Sequence, residues 1–149
     1  QLQSSAASDV YKRQDGLQAS ILRVKLRYLE TWTERRIAIA EMYKEGLSQN
    51  TNLALPLKRD CARQVYHLFV VRCKDRDKFM ETLNKDGIQT GIHYPIALPS
   101  LEAYKNLNQA HTCPSATSID KNLVSLPIGE HLTDEDVSYV IDRVLKYFQ

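Results

Sequence analysis

The sequence predicts an α+β fold, a long N-terminal helix followed by a small sheet packed against helices. Three features predict it. Apolar residues recur at helical spacing through the first third of the chain. Two short runs suited to strands come next, at residues 65–73 and 88–93. A capped amphipathic stripe ends the chain.

Residues 1–14, QLQSSAASDVYKRQ, are rich in Ser, Ala and Gln and carry no sustained periodicity. They read as a non-native linker or a disordered tail, set apart from residues 15–149. From Gly16 the pattern is helical. Leu17, Ile21, Val24, Tyr28, Trp32, Ile39 and Tyr43 form one apolar row, and Leu22, Leu26, Leu29, Ile37, Ala40 and Leu47 a second. Two rows make a wide face, to be covered from more than one side. A helix of roughly thirty residues reaches about 45 Å, more than the width of a small domain. It is expected to run between two domains or along a subunit interface. Gly46 and the polar residues 48–52 are expected to end it.

Residues 53–57 contain Pro56 and suit an edge strand or an extended loop. Residues 65–73 (VYHLFVVRC) are apolar on both faces, as a central strand would be. Asp75 can cap a helix bearing Phe79, Met80 and Leu83, with Gly87 closing it. Residues 88–93 alternate as a strand until Pro95 and Pro99 break the chain. Residues 101–107 and 114–122 suit short helices, with an extended Val124-Ser125-Leu126-Pro127 after them. Thr133 and Asp136 form a capping box ahead of Val137, Val140, Ile141, Val144, Leu145 and Phe148. Phe69, Val70, Val71, Phe79, Leu83, Val140, Ile141 and Val144 are the expected core.

The composition excludes several classes of function. The chain has 149 residues and a net charge of +2, too little to favour nucleic acid or an anionic membrane. No apolar run approaches the ~20 residues that span a bilayer, and no secretory signal opens the sequence. A cytoplasmic protein is expected. Cys61, Cys73 and Cys113 lack ligand spacing to one another or to His67, His93, His111 and His131, so no metal site is expected. They read as reduced, mostly buried thiols.

Signals of catalysis are sparse. The glycines never cluster into a phosphate loop. Asp134, Glu135 and Asp136 occupy the first turn of a helix, where they favour its dipole rather than acid–base work. His111 and Cys113 are too close in the chain to act as base and nucleophile. Gly91-Ile92-His93-Tyr94-Pro95 is the one local candidate. It sets an imidazole and a phenol at a strand end, where both can bond a ligand's phosphate or hydroxyl groups. A His and Tyr packed beneath the loop and bonded locally fit the same residues.

Several blocks, in order and at matching spacing, resemble the DegT/StrS aminotransferases. They are residues 15–26 (DGLQASILRVKL), Glu34-Arg35-Arg36, residues 65–69 (VYHLF), residues 87–95 (GIQTGIHYP), Ser125-Leu126-Pro127 and Leu132-Thr133-Asp134-Glu135. The resemblance implies a fragment of a homodimeric enzyme that moves an amino group, usually from glutamate, onto a keto group of a nucleotide-linked sugar, as in polysaccharide biosynthesis. The cofactor would be pyridoxal 5′-phosphate, held as a Schiff base by a lysine of a large N-terminal domain. No motif of that domain matches this chain, so no catalytic, cofactor-binding or metal residue is assigned, and the chain alone is expected to be inactive.

Residues 15–149 would be the connecting helix and the C-terminal small domain, as in fold-type-I aminotransferases. His93 and Tyr94 match the family's HYP motif and would bind the nucleotide sugar. Many members carry a second histidine shortly after it, where this chain reads Ala97-Leu98-Pro99-Ser100. That departure bears on sugar preference. Two other readings compete: a self-sufficient α+β binding or interaction module, and a regulatory domain that holds a small ligand between strand ends. The fragment reading alone leaves an apolar stripe at Leu17, Ile21 and Tyr28 uncovered.

Overall fold

The apolar rows at the start of the chain form two helices rather than one, α1 (Gly16–Lys25) and α2 (Leu29–Leu47). The computed structural model describes residues 16–107 and 110–149, so the reading of residues 1–14 lies outside it. At the break, the amides of Arg27, Tyr28 and Leu29 bond carbonyls three residues back instead of four. Neither proline nor glycine marks the spot, which is why the periodicity runs straight through it. Packing separates the two helices. α2 buries Ile39, Ala40, Tyr43 and Leu47, whereas α1 buries nothing.

The sheet has two antiparallel strands, β1 (Phe69–Arg72) and β2 (Leu123–Leu126), with Phe69 opposite Leu126 and Val70 opposite Ser125. β1 is shorter than the run 65–73 because Tyr66, at φ 49°, leaves the extended region. Single bridges extend the sheet on both sides, Ala54 to Arg72 and Gly91 to Ser125. Residues 53–57 are thus an edge segment. Residues 88–93, expected as a strand, are reduced to the one bridge at Gly91. The tight turn at Gly87 and the left-handed Tyr94 leave little room for more.

Phe69 and Val71 of β1 and Val124 and Leu126 of β2 turn one face of the sheet toward the helices, and all four are buried. Val70 was expected among them but lies half-buried on the opposite face, since consecutive strand residues alternate. Ile141 is also only half-buried, at the edge of the core. Phe79, Leu83, Val140 and Val144 are buried as expected, joined by Ile39, Tyr43, Leu47 and Val137.

After β1, α3 (Arg76–Lys85) starts at Asp75, whose carbonyl, not its side chain, receives the Phe79 amide. Gly87, at φ 78°, ends it, and the Ile88 amide bonds back to the Leu83 carbonyl. The two short helical stretches become a 3₁₀ turn at Glu102–Leu107 and a short α4 (Pro114–Ile119) running into a 3₁₀ turn at Asp120–Asn122. Thr133 and Asp136 form the expected capping box of α5 (Asp134–Tyr147). The Thr133 amide and hydroxyl hold the Asp136 carboxyl below the usual carboxylate range. Asp134 pairs with Arg35 at 2.6 Å, so this acidic turn is structural. No helix among the described residues is long and apolar enough to cross a membrane.

α2 organises the loop between β2 and α5. Its Tyr43 hydroxyl donates to the Pro127 carbonyl at 2.8 Å, and Arg35 donates to the Leu132 carbonyl at 2.5 and 3.1 Å. Arg36 donates to the carbonyls of His67 and Ile128, each at 3.2 Å. Loop carbonyls that a helix or sheet would otherwise satisfy find their donors here. Burial, with help from the Asp136 charge, pushes the Tyr43 phenol above its usual range.

Gly46 does not stop α2. It lies in the last turn, where α5 approaches so closely that a Cβ would sit 2.8 Å from Ile141 Cγ2 and 2.9 Å from its Cδ1. The cysteines also depart from expectation. Only Cys73 is buried, while Cys61 and Cys113 fall on exposed connecting segments. Burial, reinforced by Asp75 and partly offset by Arg76, pushes the Cys73 thiol up to about 11.

Two outcomes are expected. Gly46→Ala would ordinarily stabilise a helix by about 1 kcal/mol, but the clash with the β-branched Ile141 reverses the sign. Urea unfolding should show a loss of about 1–3 kcal/mol, relieved when Ile141→Ala is added. A gain in the single variant would mean that the helices do not approach as described. The second concerns α1 and the break after it, where Leu17, Ile21 and Tyr28 are 68%, 50% and 54% exposed. Each aliphatic side chain is worth roughly 1.5–3 kcal/mol when buried, so the chain should self-associate as its concentration rises. Sedimentation showing a strict monomer at every concentration would count against this.

Candidate functional site

The sheet face opposite the core is covered by an arch of residues 91–97. At its start, Gly91 exchanges both backbone hydrogen bonds with Ser125 of β2, at 3.0 and 2.8 Å. The chain then leaves the sheet. Tyr94 sits at φ 60°, a conformation uncommon for a bulky residue, and Pro95 fixes the next turn. At the far end the Ala97 amide donates to Asp120 Oδ2 at 3.1 Å. Both ends of the arch are therefore tied to one stretch of chain, residues 120–125.

His93 folds back along the arch, with Nδ1 2.8 Å from the Ser125 hydroxyl. Its ring lies over Gly91, where a Cβ would come within 3.1 Å of Cε1. Glycine is what lets the imidazole lie so close. Tyr94 points outward and is 85% exposed. Neither side chain is packed beneath the loop, although His93 is bonded locally.

A groove of about 560 Å³ opens beside the arch. Leu68, Val70 and Leu123 floor it, and Ile119, Leu98 and Leu101 wall it. Among the described residues no lysine or arginine lines it, and the one carboxylate that does, Asp120, already serves the Ala97 amide. Such a lining suits an apolar or flat part of a ligand better than a phosphate, and the His93 imidazole and Tyr94 phenol beside it are groups able to hydrogen-bond. Where the sequence lacks a second histidine, Ala97 is buried in the arch and Leu98 is exposed at the groove.

His93 and Tyr94 are thus brought together with two residues that sequence reasoning missed. Ser125 carries a weak signal, a lone hydroxyl inside the apolar run Leu123-Val124-Ser125-Leu126. Asp120 carries none.

The described lysines can be compared with what a pyridoxal cofactor would require. A Schiff-base lysine must lose its proton, which burial without a counter-charge promotes. Among lysines whose side chains are described, only Lys44 is not exposed. Burial works against its charge, but bonds to the Tyr66 hydroxyl and the Glu41 carboxylate outweigh this and hold the ammonium above the usual lysine range. Among the described residues no cluster suited to a metal ion occurs, and His111 and Cys113 share no hydrogen bond.

The DegT/DnrJ/EryC1/StrS aminotransferase family matches residues 8–145. Two relatives are 41% identical to the chain. One is the erythromycin biosynthesis sensory transduction protein EryC1 of Saccharopolyspora erythraea, matched over 87% of this chain and 36% of its own length. The other is the dTDP-3-amino-3,6-dideoxy-α-D-galactopyranose transaminase of Aneurinibacillus thermoaerophilus, matched over 93% and 38%. The structure of S. venezuelae DesV in complex with a ketimine intermediate superposes with a TM-score of 0.86 at 36% identity, over 91% of this chain and 37% of that one. The chain spans a little over a third of the length of these relatives.

Proposed function

Because the chain belongs to the DegT/DnrJ/EryC1/StrS aminotransferase family, we propose that it forms the connecting helix and C-terminal small domain of a pyridoxal-phosphate-dependent transaminase acting on nucleotide-linked sugars. The observation that carries this reading is similarity to a named dTDP-sugar transaminase over 138 residues. On this reading glutamate donates the amino group, the enzyme is a cytoplasmic homodimer, and its product feeds polysaccharide assembly. The cofactor and its lysine belong to the rest of the enzyme.

This part of the enzyme then contributes one wall of the substrate cleft. His93 and Tyr94 bond the nucleotide sugar, and the apolar groove receives its less polar surface. The uncovered face of α1 supports the reading, since a helix between domains needs a second body to cover it. One observation favours the alternative of a self-sufficient binding module: the buried core lies entirely at Ile39 and beyond and closes without α1. The exposed stripe weighs against it.

The test is a chimera in which residues 16–149 replace the matching segment of the Aneurinibacillus transaminase. It should transfer an amino group from glutamate to a dTDP-linked keto sugar. His93→Ala and Tyr94→Phe should each raise KM about tenfold and change kcat less, as loss of one ground-state hydrogen bond would. The chain alone, mixed with pyridoxal phosphate, should gain no lysine-bound absorbance band. A folded, cofactor-loaded chimera without amino transfer would rule out the reading, and an unchanged KM would remove His93 and Tyr94 from the site.

A further inference from the structure

Ser125 is the one polar residue buried among the described residues, at 6% exposure. It faces away from the core, opposite Val70, on the side of the sheet that alternation assigns to the groove. The arch covers it there, and among the described residues its hydroxyl meets only His93 Nδ1, at 2.8 Å. A buried hydroxyl needs an acceptor for its proton, and a neutral imidazole nitrogen is one. If Nδ1 carried the proton instead, the serine proton would have no acceptor among the described residues.

We propose that Ser125 is a positioning residue that acts through His93: its hydroxyl donates to Nδ1, fixes the ring against Gly91, and leaves Nε2–H as a hydrogen-bond donor toward the ligand. The chain makes this arrangement stiff. The same Ser125 exchanges both backbone bonds with Gly91, so the residue that orients the imidazole also anchors the backbone that carries it. Asp120 holds the other end of the arch through the Ala97 amide, which leaves the left-handed Tyr94 between two fixed points. A strained conformation persists where its surroundings over-determine it. The donor role of Nε2 suits a ligand group that accepts, such as a sugar carbonyl or a base carbonyl, and disfavours one that can only donate. The proposal rests on the reading of His93 as a ligand-binding residue.

The experiment uses the whole chain, with nitrogen-15 NMR of the histidine rings and titration with dTDP-glucose as the probe. In the unaltered chain the neutral His93 ring should show Nε2 protonated and Nδ1 accepting a hydrogen bond. Ser125→Ala should move the Nδ1 resonance toward that of a free acceptor nitrogen and weaken dTDP-glucose binding about fivefold. Ser125→Thr, which keeps the hydroxyl, should restore both. In a His93→Ala background, Ser125→Ala should weaken binding no further, because a residue acting only through His93 has nothing left to act on. Equal weakening in both backgrounds, or an Nδ1 resonance unmoved by Ser125→Ala, would overturn the proposal. Failure of the unaltered chain to bind dTDP-glucose would count against the nucleotide-sugar reading, while the Nδ1 resonance would still decide the role of Ser125.

Discussion

The contact between α2 and α5 sets where the strands and the arch can lie. Gly46 lets the two helices meet at Ile141, and the Tyr43 hydroxyl reaches the Pro127 carbonyl, 84 residues further along the chain. Arg35 reaches the Leu132 carbonyl across 97 residues. These bonds fix the loop that leaves β2, and so fix the position of β2 itself. The Tyr43 ring also packs on Phe69 at 5.0 Å, which sets β1 beside it. Long-range closure of this kind is entropically costly, and the buried aromatic and aliphatic surface at the junction offsets that cost.

Once β2 is placed, the site follows from the alternation of a strand. Val124 and Leu126 face the helices and close the core, while Leu123 and Ser125 face the other way and receive the arch. A sheet of two strands is too narrow to be stable by itself, so the helices on one face and the arch on the other each contribute to holding it. The arrangement separates two tasks. The core face is wholly apolar, and the polar group needed to orient His93 sits on the opposite face, where the arch provides its partner.

Features governed by local rules were legible in the sequence. The Thr133–Asp136 capping box, the Gly87 helix stop, the edge character imposed by Pro56 and the helical run through Tyr43 depend on neighbours in the chain. Features governed by packing were not. The interruption after Lys25 has no breaker residue, and Gly46 reads as a helix stop until α5 is seen against it. Val70 reads as core beside Phe69 and Val71 because all three are apolar, although the period of a strand separates them. At the site, His93 and Tyr94 stood out because an imidazole, a phenol and a proline adjoin at a strand end. Ser125 lies 32 residues from His93, and nothing in either local sequence links them.

On this account α2, α5 and the two strands unfold as one cooperative unit that includes the arch, with α1 outside it. Native-state amide hydrogen exchange on the chain is the sharpest test, because protection reports the free energy of opening residue by residue. The Gly91 and Ala97 amides should share the slow exchange of Val71, Val124 and Tyr43, while amides of α1 exchange much faster. Gly91 and Ala97 amides exchanging as fast as those of α1 would contradict a single unit that includes the arch.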